Sequence, residues 1–252
     1  MPGVFLVWVE APDIASSAQP GQFITVDCAS LTLRRPLSIH QVLPSPARDS
    51  TEGRIALLFK VVGEGTLWMS QRQKDDKIDV LGASGKGFNI EPGSRNLLLV
   101  AGGIGIAPLV FLAQQASLQH SVTLIHGAST AAQLYPLSAL PEEVRFIPIT
   151  EDGTAGEKGM VTDILPDFLD WAYQVYACGP IDMYKAIAEM SSRVNKGKLK
   201  IKKCQLSLEV RMGCGIGACY SCTISTKRGL KQVCRDGPVF ELDDILWDEV
   251  RL

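Results

Sequence analysis

Leu97–Ala113, LLLVAGGIGIAPLVFLA, carries no charge and holds Gly102, Gly103, Gly105 and Pro108 in its middle. A membrane-spanning helix needs about 20 predominantly apolar residues, and the glycines and proline break this run where a span would have to continue. The stretch reads instead as a buried parallel strand, a glycine turn and a buried helix. Backbone N–H groups at such a turn, together with the helix N-terminus, form an anion site suited to a pyrophosphate. The turn departs from G-x-G-x-x-G because Pro108 stands where the last glycine would, so a tight turn that binds nothing stays open on these residues alone.

Outward from this turn the chain has two rhythms. On the C-terminal side VTLIHG (Val122–Gly127), VRFIPIT (Val144–Thr150) and QVYACG (Gln174–Gly179) alternate with helix-length stretches, the last being PIDMYKAIAEMSSRV from Pro180. Alternating strands and helices predict an α/β doubly wound parallel sheet over 94–203. On the N-terminal side QFITVDC (Gln22–Cys28), LRRPLSIHQV (Leu33–Val42) and RIALLFKVV (Arg54–Val62) are strand-like, with a Pro-, Ser- and Asp-containing loop at 44–53. Short strands between turns predict an antiparallel β-barrel over 1–93, whose first strand is expected to be short. Lys196, Lys198, Lys200, Lys202 and Lys203 read either as a solvated strand edge or as a docking surface.

The last stretch, 204–252, is glycine- and cysteine-rich. Its spacing is Cys214-x4-Cys219-x2-Cys222-x11-Cys234, and C-x4-C-x2-C followed by a distant fourth cysteine is the plant-type [2Fe–2S] pattern. Four thiolates must converge on the cluster from all sides, so one loop has to curl and a later strand has to close it. Gly213, Gly215 and Gly217 permit the curl and let N–H groups approach the sulfurs. Structural zinc prefers paired C-x2-C knuckles. A thioredoxin-like Cys219/Cys222 pair leaves Cys214 and Cys234 unexplained.

Composition agrees with this reading. In 252 residues, 25 Lys and Arg against 27 Asp and Glu leave a net charge of -2, which does not favour non-specific nucleic-acid binding. Seven cysteines, four of them clustered, suit a reducing compartment. MPGVFLVWVEAPD lacks a basic leader region, so a cytoplasmic chain is expected. There is no G-x-S-x-G, no H-E-x-x-H and only three histidines, and Lys86 is followed by Gly87 rather than by the Ser or Thr of a P-loop.

Taken in order, these motifs resemble the ferredoxin–NADP reductase superfamily. RRPLS (Arg34–Ser38) is similar to its flavin-binding R-x-x-S motif. GEGT (Gly63–Thr66) and LGASGKGF (Leu81–Phe88) match its next two segments, although Ala83-Ser84 replaces the usual Pro-Leu. AGGIGIAP (Ala101–Pro108) and YACGP (Tyr176–Pro180) match its nicotinamide-binding segments. Within the superfamily, SLEVRMGCGIGACYSC and VCRDGPVF (Val233–Phe240) most resemble the electron-transfer subunits of two-subunit, NAD-linked dihydroorotate dehydrogenases.

That resemblance implies FAD contacts at Arg35, Pro36, Leu37 and Ser38, at Leu58, Phe59 and Lys60, and at Gly65 and Thr66. It implies NAD(H) contacts at Gly102, Gly103, Ile104, Gly105 and Pro108 and at Cys178, Gly179 and Pro180. Cys178 either approaches the nicotinamide or is simply a buried small residue. The cluster ligands would be Cys214, Cys219, Cys222 and Cys234. It also implies an oxidoreductase of pyrimidine (UMP) biosynthesis that names no catalytic acid or base of its own. Its partner would be an FMN-containing catalytic subunit, in a heterotetramer of two copies each. Two other readings are an electron-input subunit for a hydrogenase or a ferredoxin:NADP oxidoreductase, and a zinc-stabilised interaction module. His126–Tyr135 follows the second strand of the α/β unit and contains neither the Arg or Lys that a 2′-phosphate would call for nor a ribose-binding acid.

Overall fold

The computed structural model describes residues 1–29, 31–44, 53–194 and 203–250. Most of the expected 44–53 loop and Lys196–Lys202 lie outside the described residues. Lys203 pairs with Glu91 at 2.8 Å.

The N-terminal unit runs β1 (Val4–Glu10), α1 (Pro12–Ser17), β2 (Phe23–Val26), β3 (Arg35–Leu43), β4 (Arg54–Lys60), α2 (Glu64–Ser70) and β5 (Val80–Ser84). Its strands are antiparallel throughout, in the order β1-β4-β3-β2-β5, around one core that includes Ile24, Ile39, Ile55, Leu57, Phe59 and Met69. β1, expected to be short, is seven residues long and pairs with β4 from Val4↔Lys60 to Glu10↔Arg54. The apolar run of β4 serves two cores: Leu57 and Phe59 face the barrel, and Leu58 packs into the next unit.

That unit contains β6 (Asn96–Gly102), α3 (Ile106–Ala116), β7 (Ser121–Ala128), β8 (Val144–Thr150), β9 (Glu157–Lys158), α4 (Val161–Ile164), α5 (Pro166–Leu169), β10 (Gln174–Cys178), α6 (Ile181–Val194) and β11 (Cys204–Ser207). The uncharged run that opens it is buried on both faces, with the period of two that a strand imposes. Leu97, Leu99 and Ala101 join the core under α3, whereas Leu98 and Val100 join the one packed with Ile164, Leu165 and Ile187. Full burial of each such leucine contributes roughly 1.5–3 kcal/mol. No helix among the described residues is long and apolar enough to cross a membrane.

The C-terminal stretch adds β12 (Thr223–Thr226), β13 (Gly229–Gln232), α7 (Val233–Asp236) and β14 (Val239–Glu241). The seven-stranded sheet has the order β14-β11-β10-β6-β7-β8-β9, so the α/β unit draws β11 and β14 from the stretch assigned to the tail. β11 is parallel to β10, and β14 closes that edge antiparallel to β11. Both strands are too short to announce their sheet; long-range pairing decides it. Cys234 also sits on α7, just after the strand expected to carry it.

Candidate functional site

The sheet grows outward from β6 through β7, β8 and β9, then returns to place β10 on the other side of β6. Ligands of open α/β sheets bind at such a reversal, outside the C-terminal ends of the strands. At this point the turn after β6 meets the turn after β10. A Cβ on Gly105 would lie 2.2 Å from the Cys178 carbonyl oxygen, and one on Gly179 would lie 3.0 Å from Gly102 Cα. Two backbones therefore touch where any side chain would separate them.

Two clefts flank this junction. The first, about 460 Å³, is walled by Pro36, Leu37 and Ser38 of β3, Leu58–Lys60 of β4, Thr66, the Ile104/Ala107 turn and Ser207–Met212. Its volume and largely apolar lining suit a cofactor-sized ligand. Thr66 is fixed by N–H donation from Val62 (2.9 Å) and Gly63 (3.2 Å). Arg35 and Gly65 adjoin each other beside the cleft: a Cβ on Gly65 would come within 2.5 Å of Arg35 Nε. That glycine is a cradle for the guanidinium, which is the donor an anionic cofactor chain requires. The residues present thus fit FAD.

The second cleft, about 540 Å³, includes Gly102, Gly103 and Pro180 and extends past the ends of β7 and β8. Lys60 lines both clefts. Gly105 and Gly179 form the floor between the turns, and Ile104 faces the first cleft instead. Two expected contacts lie away from both clefts. Pro108 is buried in the first turn of α3, lining neither cleft. Cys178 is fully buried behind the turn, and burial pushes its thiol well up. Its surroundings are Tyr184, whose hydroxyl accepts from the Gly179 N–H (2.9 Å) and donates to the Ser207 carbonyl (2.6 Å).

Two buried histidines tie the clefts together. His40, on β3 just past the residues that wall the first cleft, has Nδ1 2.8 Å from the Ala107 carbonyl and Nε2 2.9 Å from the Tyr135 hydroxyl. His126 has Nε2 2.9 Å from the Gly103 carbonyl, and its Nδ1 accepts from the Tyr135 N–H at 3.2 Å. Burial lowers both imidazoles to about 4, so they are neutral near pH 7. A carbonyl can only accept, which fixes the tautomers as Nδ1–H in His40 and Nε2–H in His126. Tyr135 then donates twice and fastens β3 to the glycine turn. The sequence offered no motif for this link. Nor did it single out Glu209, an exposed residue on the wall of the first cleft.

The four spaced cysteines lie on one loop and α7. Cys214 lies against Cys219 and Cys234 against Cys222. Backbone N–H groups point at the sulfurs: Gly217 to Cys234 (3.1 Å), Ala218 to Cys214 (3.2 Å) and Cys234 to Cys222 (3.5 Å). Such donors, led by the Ile216 N–H, bring the Cys214 thiol down to about 6. Burial pushes Cys234 up to about 12. Gly215 and Gly217 adopt φ of +71° and +84°, turning these amides inward. Among the described residues no three His, Cys or carboxylate side chains form the group that a single metal ion would need. Two pairs of thiols fit a two-iron cluster, two ligands to each iron. The clefts and the loop are continuous, since Met212 walls the first cleft two residues before Cys214.

Comparison with known proteins agrees with this geometry. A family model described as the iron-sulfur cluster binding domain of dihydroorotate dehydrogenase B matches residues 209–246. The oxidoreductase NAD-binding domain matches 99–189. The chain is 38% identical to the electron transfer subunit of dihydroorotate dehydrogenase B (NAD(+)) from Desulforamulus reducens, over 98% of this chain and 94% of that protein. Identity to the same subunit from Caldanaerobacter subterraneus is 37%, covering 90% of this chain and 87% of that one. Among solved structures, an NADH-dependent reduced ferredoxin-NADP oxidoreductase superposes with a TM-score of 0.83 at 30% identity, over 98% of this chain and 86% of that one. Ferredoxin-NADP+ reductase from Plasmodium falciparum shares the fold, with a TM-score of 0.59 over 75% of this chain and 83% of its own. With two clefts meeting at a glycine junction, a thiol loop continuous with one of them and relatives alike over nearly the whole length, the chain belongs to the family of electron transfer subunits of dihydroorotate dehydrogenase B (NAD(+)).

Proposed function

We propose that this oxidoreductase chain passes electrons between NAD(H), FAD and a [2Fe–2S] cluster, and exchanges them with an FMN-containing dihydroorotate dehydrogenase subunit in pyrimidine biosynthesis. The assembly would be a cytoplasmic heterotetramer of two copies each; seven free thiols suit that compartment. The carrying observation is the continuity of the three sites: Lys60 is common to both clefts, and the flavin-cleft wall runs through Met212 into Cys214.

In this reading Arg35 and Gly65 receive the FAD pyrophosphate, while Pro36–Ser38, Leu58–Lys60 and Thr66 bound its ring system. Gly102, Gly103 and Pro180 line the nicotinamide crevice, and Gly105 and Gly179 let its two turns meet. Pro108 and Cys178 act from behind, as helix start and packing. Cys214, Cys219, Cys222 and Cys234 hold the cluster. When bound, the flavin supplies the conversion between hydride and single-electron transfer, chemistry that belongs to the cofactor. The chain's part is to hold the three sites in register and exclude water. The functional units are then 1–93 for flavin, 94–207 with β14 for nucleotide, and the remaining tail for the cluster.

The test is Cys219→Ser in the full chain. The variant should lose the cluster's visible absorbance and electron paramagnetic resonance signal, yet keep NADH-dependent bleaching of FAD. Loss of FAD bleaching as well would overturn the proposed order of sites. Reconstitution with the catalytic subunit should restore dihydroorotate-dependent NAD reduction to the unmodified chain alone.

A further inference from the structure

β2 serves two neighbours at once. All four of its residues are buried, and strand alternation sends Ile24 and Val26 into the barrel core while Phe23 and Thr25 take the other face. Phe23 joins the core that contains Cys222 and Cys234, and it also lines the first cleft. Thr25, two residues further along that face, meets the cysteine loop: a Cβ on Gly215 would lie 2.6 Å from Thr25 Cγ2 and 4.0 Å from its Oγ1. The tail is tied to the barrel close by. Just past β5, which pairs with β2, the Lys86 N–H donates to the Gly237 carbonyl, three residues beyond Cys234.

Buried hydroxyls are nearly always hydrogen-bonded, and an exception needs a physical account. Thr25 is 2% exposed, and its Oγ1 has no partner among the described residues. The Gln232 side-chain oxygen is a second such atom, and it adjoins the same loop: Gln232 Nε2 donates to the Gly217 carbonyl at 2.9 Å, while Oε1 has no donor among the described residues. The two atoms differ in what they can offer. An amide oxygen only accepts, whereas a hydroxyl can donate. The sulfurs of an iron–sulfur cluster and its thiolates are acceptors, and hydrogen bonds to them tune the potential. On the loop itself the donors are backbone N–H groups, with the Ser221 hydroxyl 3.1 Å from the Cys219 sulfur. Thr25 offers a further hydroxyl from the barrel side, next to the residue that follows Cys214.

We infer that the Thr25 hydroxyl donates a hydrogen bond to a sulfur of the [2Fe–2S] cluster or of its Cys214 ligand, and so raises the potential at which the cluster accepts an electron. The inference rests on the reading that the four cysteines hold that cluster. Reduction adds one negative charge, and an O–H···S bond strengthens with the charge on sulfur, so the donor favours the reduced form. A residue of the flavin unit thereby sets how readily the cluster takes electrons. Phe23, on the same face of the strand, lines the flavin cleft and shares a core with two of the ligands.

The test uses the full-length protein loaded with FAD and cluster. Thr25→Val exchanges the hydroxyl for a methyl of similar size, and Thr25→Ser keeps the hydroxyl. Dithionite titrations followed by the electron paramagnetic resonance signal of the reduced cluster give its midpoint potential, and the flavin absorbance gives that of FAD in the same samples. Pulsed resonance on clusters assembled in heavy water counts the exchangeable deuterons coupled to the cluster. Thr25→Val should lower the reduced-to-oxidised ratio of the cluster at a fixed potential about tenfold, a shift of about 59 mV for one electron. It should also lose one coupled deuteron, with the FAD potential unmoved. Thr25→Ser should keep the deuteron and most of the potential. An unchanged cluster potential or an unchanged deuteron coupling in Thr25→Val overturns the assignment, as does an equal fall in Thr25→Val and Thr25→Ser. If Thr25→Val assembles no cluster, Thr25→Ala is read by the same criteria. Loss of the cluster from Val and Ala but not from Ser supports the donor, and loss from all three overturns it. An unmodified chain without the reduced-cluster signal would instead remove the cluster reading itself.

Discussion

The tripeptide Gly-Ile-Gly occurs at both cofactor loops, as Gly103-Ile104-Gly105 and Gly215-Ile216-Gly217, and does opposite work in each. At the junction of the clefts the decisive glycine is Gly105. Its φ of −60° is open to any residue, but a Cβ would sit 2.2 Å from a neighbouring carbonyl oxygen. Glycine is there for the absence of a side chain. On the cluster loop both glycines are left-handed, and the conformation turns N–H groups toward sulfur. Glycine is there for its dihedral freedom. Identical letters therefore report close approach at ordinary dihedrals in one case and backbone direction in the other, where Gly215 also packs so that a Cβ would lie 2.6 Å from Thr25 Cγ2.

Gly105→Ala is the strongest way to break that contrast. The obstructing atom is backbone, so the two turns must move apart. We expect a loss of about 3 kcal/mol or more in unfolding free energy and a drop of about 100-fold in the rate at which NADH bleaches FAD, since the crevice loses its geometry. Gly103→Ala is the control. It has φ +54° and nothing within 4 Å of the added methyl, so it should cost only about 1 kcal/mol. Denaturant unfolding and stopped-flow bleaching measure both. Equal effects at 103 and 105 would mean that close approach at Gly105 does not govern the first loop.

Much of this was legible in the sequence because it is local. Cysteine spacing, strand–helix alternation and the RRPLS and AGGIGIAP segments are short-range patterns, and the structure gathers most of their residues around two clefts and one loop. What stayed hidden depends on partners far away in the chain. Cys204–Ser207 reads as tail until it is paired with β10, and Thr25 looks like an ordinary strand residue until folding sets Gly215 against it. Cys178 and Pro108 occur in the right motifs, yet only packing reveals that both are buried and line neither cleft. His40, Tyr135 and His126 occupy three separate segments and have no spacing to be read.

Acid sharpens the comparison next, because the two loops are fastened by different chemistry. His126 holds the first through a neutral imidazole, and His40 joins it through Tyr135. Both imidazoles fall to about 4 in the folded chain from an ordinary 6.5. The unfolded chain therefore binds more protons between those values. The stability these two groups confer is fully present above about pH 6.5 and declines as pH falls toward 4. Each should cost the fold about 2 kcal/mol between pH 7 and pH 5. A protonated His126 would also present Nδ1–H to the Tyr135 N–H, two donors face to face. Unfolding midpoints followed from pH 7 to pH 5 should fall in the unmodified chain and less steeply in His126→Phe. Parallel curves would show that this imidazole is not the group being titrated.

The isoleucines at the two tripeptide centres provide the smallest test. Ile104 is half-buried, packs against the core under α3 and walls the first cleft, whereas Ile216 is 65% exposed beside the sulfurs. Ile104→Ser removes apolar surface already withdrawn from water and should lower the unfolding free energy by about 1 kcal/mol. Ile216→Ser gives up almost none and should stay within about 0.5 kcal/mol. The backbone N–H of Ile216, which leads the donors around Cys214, survives the substitution, so the cluster's visible spectrum should persist. If that spectrum collapsed while the unfolding free energy held, the side chain rather than the backbone would be shaping the second loop. Its glycines would then owe their conformation to Ile216, and the contrast with the first loop would lose its basis.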